Sequence, residues 1–231
     1  MNNPRVLIVA SSQNIDLSTD TAAWMDELAQ PYFAFRDFTD SVTLTSPNGI
    51  TISIVGKDRQ VGLTRCSELG KQEEVALAWV ASSVPIHSLS AKDFDILYVA
   101  GSDNSATDME HCRPLTAILE GFVADKKPMA AVGLGVTALL SLFMANGEPY
   151  VKGRKLTSYT NREVMQHGIG AQMPFSLETR LLAFGAAYSS NANNRGNVVK
   201  DGMLVTGQNA ASSAIVVFAL RNLSAGIVAA T

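Results

Sequence analysis

In the stretch Pro128-Met-Ala-Ala-Val-Gly133-Leu134-Gly135-Val136-Thr-Ala-Leu-Leu140, an apolar run passes into a helical segment with no loop between them. Pro128 to Val132 has the length and composition of a strand buried on both faces, and Val136 to Ala145 continues as a helix. A strand that turns at once into a helix forces its corner residue into a backbone conformation that most side chains resist. Gly133 occupies that corner, and glycine adopts such φ/ψ values at little steric cost. In hydrolases and related enzymes a corner of this kind presents the nucleophile above the amides that open the helix.

Working outward, Val6 to Ala10 and Phe94 to Ala100 are two more continuous apolar strand runs. Between them Trp24, Leu28, Tyr32 and Phe35 recur at helical spacing, with Asp20 or Thr21 as the N-cap. Ser41 to Thr45 alternates as a strand and Pro47-Asn48-Gly49 turns. Ile50 to Val55 alternates again, either as a hairpin or as a strand continuing outward. Helices are expected over Gln72–Ser82, with Val75, Ala76, Trp79 and Val80 inward, and over Cys112–Ala124, carrying Leu115, Ile118, Leu119 and Phe122. The remainder supplies strand segments at Lys155–Thr157, Ala186–Tyr188 and Val198–Thr206, and helices at Asn161–His167, Leu177–Phe184 and Ala210–Ala229. Strands alternating with helices predict an α/β three-layer sandwich around a mostly parallel sheet. With no repeat, linker or composition shift, a single domain over 1–231 is expected.

Composition narrows the function. Of 231 residues, 47% are hydrophobic and 17% charged, and the formal net charge is −3. That apolar content excludes disorder. With 18 basic residues against 21 acidic ones, nucleic acid is not an expected partner. Arg5 to Ala10 is too short for a secretory core, and Arg221, Asn222 and Ser224 interrupt the apolar C-terminal stretch. Two cysteines, Cys66 and Cys112, form no disulfide framework. The expectation is a reduced, cytoplasmic protein with no membrane partner.

Ligands of open parallel sheets bind at the carboxyl ends of strands. Three such ends are legible: Ala10-Ser11-Ser12, Gly101-Ser102-Asp103-Asn104 and Gly133-Leu134-Gly135. Asp103 and Asn104 are read either as groups binding a polar substrate or as ordinary turn formers. Tyr159 and Glu163 are candidates for the pocket wall, and Asn161 either joins them or caps a helix. The amides of Leu134 and Gly135 are placed to hold a carbonyl or anionic oxygen. The three histidines, His87, His111 and His167, lack metal-ligand spacing, so no metal is expected. Gly133 and Gly135 make no dinucleotide fingerprint, and no cofactor is expected.

The stretch Met129 to Leu140 resembles the elbow of the ThiJ/PfpI family, within the class I glutamine amidotransferase-like superfamily, where the pattern is Ala-Val-Cys-His-Gly-Pro. Trp24-Met-Asp-Glu-Leu-Ala-Gln-Pro-Tyr32, Thr45-Ser-Pro-Asn-Gly49 and Tyr98-Val-Ala-Gly-Ser-Asp-Asn-Ser-Ala-Thr-Asp108 resemble motifs of its glyoxalase III and chaperone-like branch. Met173-Pro-Phe-Ser-Leu-Glu178, Gly185-Ala-Ala-Tyr188 and Thr206-Gly-Gln-Asn209 follow in the same order. The resemblance implies a flavodoxin-like fold, a homodimer with an apolar patch from the N-terminal half, and a small-molecule ligand. By position, Gly133 and Leu134 stand where the family has its catalytic Cys and His, and Asp103 and Asn104 replace His and Gly. Glu27 matches the family's first-helix Glu, and Glu163 lies where its third carboxylate should be. Cysteine-based activities need a thiolate, which glycine cannot supply. Two readings follow: a small-metabolite enzyme of hydratase, lyase or isomerase type using Glu27, with Asp103 as its second carboxylate, or an inactive binder or chaperone-like protein. A third, a relocated thiol at Cys112, is weaker because a lone buried cysteine is usually inert.

Overall fold

The computed structural model describes residues 3–12, 15–16, 25–48, 54–55 and 68–228. In chain order these form β1 (Val6–Val9), β2 (Ile15–Asp16), a π-helical turn (Met25–Ala29) that runs into α1 (Gln30–Arg36), β3 (Val42–Ser46) and β4 (Ile54–Val55). Next come α2 (Glu68–Ala81), β5 (Val84–Pro85), β6 (Ile96–Val99), α3 (Ser105–Asp108), α4 (Arg113–Ala124), β7 (Met129–Val132) and a 3₁₀ helix over Gly133–Ser141. The chain ends with β8 (Lys155–Leu156), α5 (Asn161–Gln166), α6 (Leu177–Ala183), β9 (Ala187–Tyr188), β10 (Val198–Asp201), β11 (Leu204–Gly207) and α7 (Ser213–Val228).

Seven strands form one sheet in the order β10-β11-β7-β6-β1-β3-β5. All neighbours are parallel except β10, which runs antiparallel to β11. The central strands are apolar throughout because both sheet faces are covered, and alternation shares their side chains between two cores. Leu7, Val9, Leu97, Val99 and Ala131 pack with Leu115, Ile118, Leu119 and Phe122 of α4 on one face. Val6, Ile8, Ile96, Tyr98 and Val132 pack with Tyr32 and Phe35 of α1, Trp79 of α2, and Val216, Val217 and Leu220 of α7 on the other. The result is the three-layer sandwich expected. Burial of each such aliphatic or aromatic side chain stabilises by about 1.5–3 kcal/mol.

Several expectations need correction. Val75 faces solvent at 52% exposure, because α2 packs through Ala76, Trp79 and Val80. Val198–Thr206 is part of an antiparallel hairpin turning at Gly202, with φ +60°. Asp201-Gly202 was its signal, since glycine at the first turn position suits a type II′ turn. Ile54–Val55 pairs in parallel with Ile15–Asp16, so it is neither a hairpin arm nor an extension of β3. The helix after the corner starts at Gly133 itself and stops at Ser141. Beyond it Phe143 bridges Pro149 around Gly147, which has φ +80°. Trp24 and the caps expected at Asp20 or Thr21 lie outside the described residues, as does Cys66. Among the described residues no helix is long and apolar enough to cross a membrane.

Candidate functional site

From β1 the chain builds outward through β3 and β5, then returns to place β6 on the other side of β1. The carboxyl ends of the strands near this reversal are where a parallel sheet opens a crevice. A cleft of about 350 Å³, counted out to its mouth, lies there. Glu27 enters it from the π-helical turn, Gly101, Ser102 and Asp103 from the end of β6, and Val132, Gly133 and Leu134 from the end of β7. Tyr159 comes from the loop before α5, Asn209 and Ala210 from the end of β11, and Ser213 from the start of α7.

At the corner Gly133 has φ +58°, a conformation that L side chains rarely adopt. A Cβ there would have open space, its nearest neighbour being the Gln208 carbonyl oxygen at 3.9 Å. The corner therefore tolerates a side chain sterically and resists it conformationally. Next to it the chains approach backbone to backbone. A Cβ on Gly101 would stand 2.3 Å from the Val132 oxygen and 2.6 Å from the amide nitrogens of both Leu134 and Gly135. One on Gly135 would meet the Val99 oxygen at 2.7 Å. Glycine at both positions lets the end of β6 lie flush against the amides that open the 3₁₀ helix, where N–H groups have no partner within the helix.

Glu27 is half-buried and faces this corner across the cleft, in place of the full burial a proton donor in an apolar pocket would have. The π-helical turn that carries it is a rare feature, often found at functional positions. Asp103 is exposed at the rim. The Tyr159 phenol is pushed well above the ordinary tyrosine range, chiefly by burial and further by the charges of Glu163, Glu27 and Asp103. It stays protonated and offers the cleft a neutral hydroxyl. Its ring lies 5.9 Å from that of His167.

Of the residues expected at the site, Glu27, Gly101, Asp103, Gly133, Leu134 and Tyr159 line the cleft together. Three do not. Gly135 lies buried beneath it, packed on β6. Asn104 is exposed and its carbonyl accepts from the Thr107 amide at 2.9 Å, turning the chain into α3. Glu163 is fully buried behind the wall and works as a structural anchor. It forms a capping box with Thr160, whose amide and hydroxyl donate to Oε2 at 3.0 and 2.9 Å. Oε1 accepts from the Asn209 side chain at 2.7 Å and the Asn194 amide at 3.0 Å, and Gln208 Nε2 lies 3.1 Å from both oxygens. Burial pushes this carboxyl up, but the hydrogen bonds outweigh it and hold the pKa below the usual glutamate value. Thr160-x-x-Glu163 is a capping-box pattern legible in the sequence.

Ser102, Asn209 and Ser213 are cleft residues that sequence reasoning missed. Ser102 stood in the strand-end loop after Gly101 and Asn209 in the motif Thr206–Asn209, whereas Ser213 carried no signal beyond being polar beside an apolar segment. Cys112 is buried away from the cleft, its thiol donating to the Pro47 carbonyl at 3.5 Å. Burial, and then the charge of Asp108, pushes that thiol up, so it is poorly suited to be a nucleophile. His87, His111 and His167 are all exposed. Among the described residues no group of three or more His, Cys, Asp or Glu side chains is placed to hold a metal ion.

Residues 25–223 match the DJ-1/PfpI family. Glutamine amidotransferase-like class 1 domain-containing protein 1 of Danio rerio is 25% identical over 213 residues, 92% of either chain. Among solved structures, the 24 kDa rapid encystment protein of Francisella tularensis superposes with a TM-score of 0.78 at 22% identity, covering 96% of this chain and 99% of its own. Glyoxalase III of Candida albicans superposes at 0.74 and 19% identity, covering 95% and 97%. At these identities the two structures establish a shared fold, the flavodoxin-like arrangement of class I glutamine amidotransferase-like proteins. Since the match runs from the π-helical turn through the corner to the last helix, this chain belongs to the DJ-1/PfpI family.

Proposed function

We propose that this protein is a family member without the nucleophilic cysteine, acting on a small carbonyl, nitrile-like or hydroxylated metabolite by non-covalent acid–base chemistry. The observation that carries this reading is one cleft lined by both Glu27 and the corner residues Gly133 and Leu134, with glycine at the strained position. Glu27 exchanges the proton, Asp103 assists at the rim, and the Leu134 amide holds the oxygen that gains charge. Hydration, dehydration and isomerisation are within reach of that arrangement. Thiol-dependent glyoxalase or peptidase action is not, because no sulfur stands at Gly133. Homodimerisation, a cytoplasmic setting and one domain over 1–231 belong to the same proposal.

The test is a turnover screen of wild type and Glu27→Gln against small aldehydes, nitriles and hydroxy acids. The substitution keeps shape and removes proton exchange, so turnover should fall roughly 10²-fold or more while binding persists. Turnover indifferent to Glu27→Gln would move the chemistry elsewhere. A second reading, a non-catalytic binder or chaperone-like protein, is favoured by the apolar Leu134 in the cleft wall. Absence of turnover on the whole panel would select it.

A further inference from the structure

Among the described residues, two side chains of the cleft wall end in hydroxyls with no hydrogen-bond partner. Ser213 Oγ and Ser102 Oγ are both shielded from solvent and unpaired, although both residues line the cleft. Ser213 as a whole is 1% exposed. Buried hydroxyls in folded proteins are nearly always hydrogen-bonded, so each exception calls for a cause. Neighbouring groups supply a contrast. Ser212 Oγ is fully engaged, accepting from the Asn197 amide and donating to its carbonyl, both at 3.1 Å. The turn into α7 is thus secured by Ser212, and Ser213 has no capping task. At β6 the Ser102 amide donates to Ser105 Oγ at 2.9 Å, which fixes the backbone and leaves the Ser102 hydroxyl over.

We propose that Ser213 and Ser102 are specificity residues for a ligand hydroxyl, so that the cleft selects small hydroxycarbonyl compounds over carbonyl compounds lacking the hydroxyl. The ligand carbonyl meets the Leu134 amide and its hydroxyl meets the two serines. A site with buried hydrogen-bonding groups rejects an analogue that leaves them unpaired. This rests on the reading of the cleft as a ligand site, but not on turnover or on Glu27.

The experiment is calorimetric titration of hydroxyacetone and of 2-butanone, which replaces the hydroxyl by a methyl group, into wild type, Ser213→Ala, Ser102→Ala and, as a control, Ser141→Ala, whose unpaired buried hydroxyl lies outside the cleft. Wild type should bind hydroxyacetone at least about tenfold tighter, in keeping with the loss of one well-placed hydrogen bond. Ser213→Ala and Ser102→Ala should each erase most of that preference, and Ser141→Ala should keep it. Thermal melts without ligand add a second readout. Removing an unpaired buried hydroxyl should leave the melting temperature unchanged or raise it, whereas a hydroxyl with a structural role would lower it. Equal binding of the two ketones, binding of neither, or a preference that survives both serine substitutions would overturn the proposal.

Discussion

Gly133 shows how a single residue sets the chemical limits of the site. Its φ of +58° makes any side chain strained, yet the space around its missing Cβ is open. Gly133→Cys should therefore fold, with a stability loss of about 1–2 kcal/mol in urea denaturation for the left-handed conformation. The new thiol should give little glyoxalase-type turnover, because Leu134 cannot serve as its base. High activity from that one change would mean that another group supplies the base. Gly101 presents the opposite case. It has an ordinary φ, but a methyl group would press on the Val132 carbonyl and two helix-opening amides. Gly101→Ala should cost about 3 kcal/mol by denaturant midpoint, since backbone cannot yield as a side-chain tip does. A loss within 0.5 kcal/mol, roughly the effect of a surface change, would show that the two segments are not locked together.

At the level of elements, the short helix α5 matters less for its length than for the acid in its first turn. Glu163 binds Thr160, Asn194, Gln208 and Asn209, so it joins α5 to the end of β11 and steadies one wall of the cleft. Its folded pKa lies below the ordinary value of 4.5, so its stabilisation is present above that pH and is lost as pH falls through the folded value. Asp108 has the opposite sign. Burial, only partly offset by hydrogen bonds from Ser11 and Ser12, lifts it above 3.8, so its contribution is full below that pH and is lost as pH rises through the folded value. Urea midpoints measured from pH 3 to 7 should fall on the acid side for wild type. Glu163→Gln should be about 2–3 kcal/mol less stable at neutral pH, because its amide turns a donor toward other donors, and its acid-side slope should be flatter. An unchanged slope would assign acid lability to other carboxyls.

For the whole molecule, the exposed apolar surface bears on assembly. Among the described residues the large exposed apolar side chains are Val75, Phe143, Met144, Met165, Leu182, Ile215 and Phe218. All of them but Val75 lie in the C-terminal half of the sequence. Ile215 and Phe218 lie one turn apart on the outer face of α7, and the proposed homodimer is best served by that face. Light scattering should give a dimer mass for wild type, and Phe218→Asp should shift it to monomer at micromolar concentration. A dimer indifferent to that change would be built elsewhere, and a monomeric wild type would remove the dimer altogether. The sequence by itself determined the buried central strands, most of the helices and the corner. Strands covered on both faces must be continuously apolar, amphipathic helices must repeat, and a strand entering a helix without a loop strains its corner residue, which glycine relieves at little cost. Those are local constraints, visible in a few adjacent letters. Tertiary structure alone decided which polar groups share the cleft. Ser102, Asn209 and Ser213 come from the ends of β6 and β11 and from the start of α7, and only the folded sheet brings them beside Glu27. It also decided which candidates were structural. Glu163 was drawn into a full set of hydrogen bonds and Cys112 into the core, while the two serines kept hydroxyls that no neighbour among the described residues satisfies. Hydrogen-bond satisfaction depends on every group within reach in space, and that is a property no single stretch of sequence carries.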